Sequence, residues 1–346
     1  EDSIDPPFEE TYRNLLTSAA GDVHFAVAAA AAEDEEDSDM PLIDMSRLNL
    51  GDAEEGRRCR EEICRASKEW GFFQVVNHGI SRDVLEKMRE EQIQLLRKPF
   101  REKIHGGDFK FSAGSYRWGT PSATCLRQLS WSEAFHVCLN DVLNNNIRTN
   151  EMFSNFRLGT AVEKFSIKVS ELSQKLVDIL SEEIGEKSCF FKETCLPTSC
   201  YLRMNRYPPC PVPHKVFGIM PHTDSAFITV LHQDHVGGLH LVKDGKWIAV
   251  KPNPDALIIN IGDLFQAWSN NVYKSVQHCV VANPVVERFS TAYFLCPSYD
   301  TVIRSNEERD CVYRSFSFGE YREKVQEDVK IFGHKVGLPR FLIRSN

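Results

Sequence analysis

His222, Asp224 and His278 are the residues whose types and spacing could do chemistry first. Met220-Pro-His222-Thr-Asp224 leads into the largely apolar run Ala226 to Leu231, so the pattern predicts a strand that begins at a ligand pair. Residues two apart on an extended chain share a face, which puts both side chains on one side. His278 falls in a second predicted strand, within Val276 to Val281. Two imidazoles and one carboxylate leave part of a metal's shell open, a donor set suited to non-haem Fe(II) that activates O2. Ten residues further on, Arg288-Phe-Ser290 sets a guanidinium and a hydroxyl on one strand face. That pair could grip the distal carboxylate of a 2-oxo acid whose other end chelates the metal. A charge-assisted contact of this kind contributes about 1.5–3 kcal/mol.

Competing readings must be weighed. His232-Gln-Asp234 repeats the H-x-D spacing, but it runs into His235-Val-Gly-Gly, which reads as a solvated turn at a strand end. The first pair leads into a rigid apolar run and is preferred. Arg288 beside Glu287 could be a surface ion-pair residue. Phe289 and the run Thr291 to Phe294 instead make this a buried strand, whose inward polar groups need partners. In Asn205-Arg-Tyr207-Pro-Pro-Cys210 two prolines end a strand and stiffen the turn, which fixes Tyr207 as a phenolic donor with Asn205 on the same face. A core tyrosine is the plainer alternative.

These residues need a scaffold, and the chain predicts one. Residues 1–38 carry most of the acidic run Glu33 to Asp39 and are read as a flexible, solvated leader. Region 39–196 is mainly helical. It opens with a short strand at Met40 to Asp44, a helix capped by Asp52 and stopped near Gly71, a strand from Phe72, and a helix capped by Ser81. The spacing of Val162, Phe165, Val169, Leu172, Leu176 and Leu180 marks a long amphipathic helix ending at Gly185. From 197 to 300 short strands recur between Gly, Pro, Asn and Asp, the texture of a sandwich or barrel, with a hairpin at Lys243-Asp-Gly-Lys246. Region 301–346 returns to helix over Phe318 to Phe332. The fold class expected is therefore mixed α and β, a β core flanked by helices.

Composition excludes several partners. The 346 residues are 42% hydrophobic and 26% charged, with net charge -8 and no basic stripe, which argues against nucleic acid and anionic membranes. No apolar run of about 18 residues predicts a spanning helix. Eleven cysteines, an odd number without C-x-x-C spacing, read as reduced thiols in an intracellular protein. The expected compartment is the cytoplasm, with the nucleus open. The chain begins with Glu1, so a preceding or cleaved segment stays open, as does the oligomeric state.

Taken together, Pro41-Leu-Ile-Asp44, Trp70 to Gly79, Asn205 to Cys210, His222-Thr-Asp224, Asn260-Ile-Gly-Asp263, His278 and Arg288-Phe-Ser290 resemble the plant 2-oxoglutarate- and Fe(II)-dependent dioxygenases. The resemblance implies a double-stranded β-helix (jelly-roll) core. It implies iron at His222, Asp224 and His278, 2-oxoglutarate held by Arg288, Ser290, Tyr207 and Asn205, and ascorbate as reductant. Within that family Ser115 to Pro121, Leu129 to His136, His222 to Asp234 and Asp263 to Asn270 are similar to gibberellin 2-oxidases that act on C20-gibberellins. The implied reaction is 2β-hydroxylation, which inactivates the hormone or its precursors. Arg206 and Cys279 depart from the family, where an aromatic and an arginine are usual.

A gibberellin is an apolar polycycle with carboxylates, so its pocket should be apolar with a few placed polar groups. Arg117, flanked by Tyr116 and Trp118, is the candidate for a substrate carboxylate; Trp131 and Phe135 at helical spacing, and Phe294 on a strand, are candidate walls. Oxidation of a flavonoid or another small plant metabolite keeps the same fold. A non-catalytic hormone carrier is the alternative of another class. Alanine at Asp224 or at His278 is expected to abolish succinate formation from 2-oxoglutarate; turnover kept in both variants would contradict the metal assignment.

Overall fold

The computed structural model describes residues 3–18, 40–104, 115–143, 158–186, 189–305 and 311–343. The strands are β1 (Leu42–Asp44), β2 (Phe72–Val76), β3 (Tyr116–Trp118), β4 (Glu133–Cys138), β5 (Tyr201–Tyr207), β6 (Phe217–His222), β7 (Ile228–Gln233), β8 (Leu239–Lys243), β9 (Lys246–Ala249), β10 (Leu257–Ile261), β11 (His278–Val281), β12 (Arg288–Leu295) and the short pair β13 (Val302–Ile303) and β14 (Phe316–Ser317). The helices are α1 (Phe8–Thr11), α2 (Arg13–Ser18), α3 (Ala53–Glu69), α4 (Arg82–Leu96), α5 (Phe100–Ile104), α6 (Leu139–Leu143), α7 (Leu158–Glu183), α8 (Cys189–Thr194), α9 (Asp263–Trp268) and α10 (Phe318–Phe332).

Two sheets make a jelly roll. The larger runs β1-β2-β10-β7-β12-β5-β4-β3 and the smaller runs β6-β11-β8-β9. Phe72, Tyr207 and Ile258 from the first pack with Leu239, Leu241 and Val280 from the second, which closes one end of the sandwich. The division expected at residue 197 is where helices give way to strands. It does not divide the sheet, because β2 and β4 precede it and pair directly with β10 and β5.

Alternation gives the large sheet two working faces. Tyr293, Val230, Ile259, Phe73, Leu202, Met204, Phe135 and Val137 lie in the main core. Helix α7 packs against β7 and β12 there through buried Val162, Phe165, Val169, Leu172, Leu176 and Leu180. Each fully buried side chain of that size contributes about 1.5–3 kcal/mol, more than the helix propensities at stake. The local signals behave as their chemistry requires. Asp52 accepts from the amides of Glu54 and Glu55, Ser81 from that of Val84, and Asp244 and Gly245 take positive φ in the β8–β9 turn.

Three expectations are corrected. The strand at the H-x-D motif ends at His222 rather than beginning there; β6 supplies it, and Asp224 lies in the following turn. Trp131 and Phe135 are not helical, since Phe135 lies in β4 and pairs across to Met204. The N-terminal segment is not wholly a solvated leader, because Phe8 and Tyr12 are buried. Phe8 stacks on Trp131, and Tyr12 accepts from the Thr120 amide. Arg206 explains the rest of that attachment. On the face away from the cavity it pairs with Asp5, Glu133 and Glu287, while Lys103 joins Glu133 and the Ile4 carbonyl. The acidic run Glu33 to Asp39 lies outside the described residues.

No helix among the described residues is long and apolar enough to cross a membrane. All eleven cysteines are free thiols. Gly262, before α9, sits against Ala226; a Cβ there would lie 2.1 Å from the Ala226 carbonyl oxygen. Gly262→Ala must push apart the two turns that carry Asp224 and Asp263. The expected loss is about 1–3 kcal/mol of stability with a lower Tm; a melting curve matching the unsubstituted protein would contradict this packing.

Candidate iron and 2-oxoglutarate site

His222 ends β6, His278 opens β11, and the two stand opposite each other in register. Asp224 follows in the turn, and one potential ligand atom from each of the three lies within 4.8 Å of the others. His222 Nε2 is 3.5 Å and His278 Nε2 3.7 Å from Asp224 Oδ1. Each ring is oriented from behind. Nδ1 of His222 lies 2.8 Å from the Met220 carbonyl oxygen, and Nδ1 of His278 lies 3.1 Å from that of Val276. Those carbonyls can only accept, so the Nδ1 atoms carry the protons and both Nε2 lone pairs face Asp224. The other carboxylate oxygen, Oδ2, accepts from the Thr229 hydroxyl at 2.6 Å and the Asn260 amide at 2.8 Å. Oδ1 is left directed at the imidazoles. This is the second layer of bonds a metal site needs to fix its ligands.

The electrostatics agree with that reading. Burial works against the Asp224 carboxylate, but His278, His222 and the Thr229 hydroxyl outweigh it and hold the carboxyl well below the usual range. Burial pushes the His278 imidazole down to about 4, and His222 adds to the effect. Two imidazole nitrogens and one carboxylate oxygen converge, the donor chemistry of a facial Fe(II) site. His222, Asp224 and His278 would hold the ion.

The turn is braced from the C-terminal region. Asp263 accepts from Thr223 at 3.1 Å, from Lys335 at 2.8 Å and from the Tyr321 hydroxyl, while its amide donates to the Asp224 carbonyl.

Beyond the triad, β5 and β12 place the anion grip. Register sets Arg288 opposite Tyr207 and Ser290 opposite Asn205. Arg288 is 2% exposed, its guanidinium 4.8 Å from the centre of the Tyr207 ring, and it donates to Gln233 at 2.8 Å and Ser290 at 3.3 Å. Arg288 Nε, Asn205 Oδ1 and Gln233 Nε2 are buried without hydrogen-bond partners. A buried cation with unspent donors is costly unless an anion joins it, so the residues fit a distal carboxylate of 2-oxoglutarate. Glu287 is engaged elsewhere, with Arg206 and Arg97, so Arg288 is no surface ion pair.

One cavity joins these parts, lined also by Phe72, Tyr201, Arg203, Ile219, Leu231, Leu239, Val280, Ala292, Phe294, Arg322 and Lys335. Phe294 lines this cavity. Arg117 is exposed and pairs across β3–β4 with Ala134, on the same face as Asn205 but outside this cavity. Tyr116 bonds Glu133, and Phe135 belongs to the main core. Trp118 and Trp131 belong to the cluster around Phe8. None of these four lines the cavity. Gln233, Arg203, Tyr201 and Arg322 escaped sequence reasoning. Period-two stepping from Asn205 and Ser290 could have found Arg203, Tyr201 and Ala292; Arg322 lies on a distant helix and gave no signal. His232, Gln233 and Asp234 are buried at the end of β7, with Asp234 accepting from the amides of Val236 and Phe289, and the turn that follows exposes His235, as the sequence suggested.

Asn260→Ala or Thr229→Val removes one of the two donors that turn Asp224. Fe(II) binding in an anaerobic calorimetric titration is expected to weaken about 10- to 100-fold; unchanged affinity in both variants would sink the proposed orienting role.

The chain was then compared with known proteins. The pattern of the 2OG-Fe(II) oxygenase superfamily matches residues 198–297, and that of the non-haem dioxygenase in morphine synthesis N-terminal region matches residues 40–155. Gibberellin 2-beta-dioxygenase 8 of Arabidopsis thaliana is 59% identical over 98% of this chain and 99% of its own length. Gibberellin 2-beta-dioxygenase 6 of rice, Oryza sativa subsp. japonica, is 46% identical over 99% of this chain and 98% of its own. Among solved structures, JOX2 in complex with 2OG, Fe and JA superposes with TM-score 0.71 at 30% identity, covering 88% of this chain and 89% of that one. The rice dioxygenase for auxin oxidation superposes with TM-score 0.72 at 26% identity, covering 88% and 100%. Ligand set, fold and end-to-end likeness converge: this chain belongs to the 2-oxoglutarate- and Fe(II)-dependent oxygenase superfamily, as one of its dioxygenases.

Proposed function

We propose that the protein hydroxylates gibberellins at the 2β position, with C20 precursors as the main substrates, and thereby inactivates them. The observation that carries this reading is the near full-length likeness to two proteins named gibberellin 2-beta-dioxygenase, at 59% and 46% identity. The cavity supports it. Phe72, Ile219, Leu231, Leu239, Val280 and Phe294 give apolar walls suited to a polycycle. The preference for C20 substrates rests on the resemblance of Leu129 to His136 and Asp263 to Asn270 to that group.

When bound, ferrous ion lets O2 oxidise 2-oxoglutarate to succinate and CO2 while the second oxygen atom enters a substrate C–H bond. The chain's own groups bind and aim. Arg288 and Ser290 hold the distal carboxylate of the co-substrate, and Asn205 and Tyr207 flank it from β5. Backbone carbonyls fix the two imidazoles, and Thr229 and Asn260 fix Asp224. The walls exclude water from the reacting carbon. No side chain of the cavity is assigned as a general base; the ion that His222, Asp224 and His278 would hold would supply the redox chemistry.

The test is mass spectrometry of products after incubation with Fe(II), 2-oxoglutarate, ascorbate and a panel of C20- and C19-gibberellins. Gain of one oxygen at C2β, matched by succinate and largest for C20 substrates, is expected. Oxidation of flavanones instead would transfer the function to another metabolite, and gibberellin binding without O2 consumption would make the protein a carrier.

A further inference from the structure

The face of the large sheet that carries Asn205 and Ser290 continues past them. One side-chain repeat along β5, about 7 Å, brings Arg203. It stands opposite Ala292 on β12 and His136 on β4. Next comes Tyr201, stacked on Phe294 at 4.6 Å and on His136 at 5.9 Å. Arg322 reaches the same cavity from α10. Two arginines and two stacked aromatic rings thus share a cavity with the iron ligands.

The other cavity cations have protein partners. Arg288 donates to Gln233 and Ser290, and Lys335 pairs with Asp263. Arg203 and Arg322 have no carboxylate partner among the described residues, and Arg203 Nε is buried without any hydrogen-bond partner. The nearby imidazole does not supply the missing negative charge. Burial, followed by Arg203, Arg117 and Arg322, holds His136 well below its ordinary value, so it stays neutral. Positive charge accumulates here without a paired carboxylate among the described residues, since Asp224, in the same cavity, is turned to His222 and His278. Half-buried guanidiniums on an apolar cavity are unfavourable unless a ligand anion completes them. The planar fork of arginine suits a carboxylate in particular.

We propose that Arg203 and Arg322 form a carboxylate subsite for the substrate, separate from the Arg288–Ser290 grip on the co-substrate, with Tyr201 and Phe294 supporting the adjoining apolar ring. The site takes a rigid apolar acid. By anchoring the carboxylate it sets which carbon of the skeleton faces His222, Asp224 and His278. In this form it rests on the reading of the substrate as a gibberellin acid.

The test compares a C20-gibberellin acid with its fully methyl-esterified form, using the enzyme loaded with Fe(II) and 2-oxoglutarate. The unsubstituted enzyme is expected to favour the acid by roughly 10- to 100-fold in kcat/KM. Arg203→Met and Arg322→Met should each shrink that ratio, mainly through KM for the acid, and Arg203→Lys should restore part of it. A purely structural defect lowers acid and ester alike and leaves the ratio intact, which would overturn the subsite. Equal turnover of acid and ester by the unsubstituted enzyme would overturn it too, while the gibberellin reading stands. If no gibberellin is turned over, the substrate reading falls. The subsite is then judged by anaerobic binding of a diterpene monocarboxylic acid against its alcohol. A preference for the acid that Arg203→Met removes supports it, and equal binding overturns it.

Discussion

Asp224 is taken out of water between two imidazoles, and its environment must hold it there as an anion. Burying a carboxylate costs several kcal/mol unless charge and hydrogen bonds replace the lost water. Thr229 on β7 and Asn260 on β10 take one of its oxygens. The other is left for the metal, and register between β7 and β10 sets the two donors beside each other. The small sheet answers with His222 and His278 in direct register. The iron site is thus a seam where two sheets meet, and neither sheet makes it alone. Asp263 ties that seam to α10 and the C-terminal segment through Tyr321 and Lys335.

The large sheet does two jobs because its side chains alternate. One face presents Phe72, Asn260, Thr229, Leu231, Gln233, Ser290, Asn205 and Arg203, a row from the metal-ligand side to the proposed anion sites. The other face packs on α7, or, at Arg206, gathers a buried charge cluster with Glu133, Lys103 and Asp5. A one-residue slip would exchange the two sets, so hydrophobic packing on one face enforces the chemistry on the other. Arg206 departs from the family's usual aromatic, yet it points away from the cavity and recruits the N-terminal segment. Cys279 likewise packs with Phe217 on the outer side of the small sheet. Neither departure touches the iron.

Much of this was legible in the residues. The meeting of His222, Asp224 and His278 and the contact of Arg288 with Ser290 follow from residue type and period-two spacing, and the caps at Asp52 and Ser81 follow from hydrogen-bonding chemistry. What escaped has physical causes. β6 is short and ends in a proline and a histidine, so its apolar signal was weak and the strand was set on the wrong side of the H-x-D pair. Trp131 and Phe135 are four apart, and that spacing suits a helix; pairing of β4 with β5 overrode it. Phe8 and Tyr12 are isolated apolar residues in a polar stretch, and only tertiary contacts with Trp131, Trp118 and Thr120 order them. Arg322 reaches the cavity from a helix more than a hundred residues from β5, which no local pattern reports.

The most direct measurement is the visible absorption spectrum of the anaerobic protein titrated with Fe(II) and then with 2-oxoglutarate. If the three ligands meet one ferrous ion beside Arg288, a metal-to-co-substrate charge-transfer band appears at one equivalent of iron, and His278→Ala removes it. Arg288→Met should require much more 2-oxoglutarate to reach the same band. No band in the unsubstituted protein, or one that persists unchanged in both variants, would contradict the account.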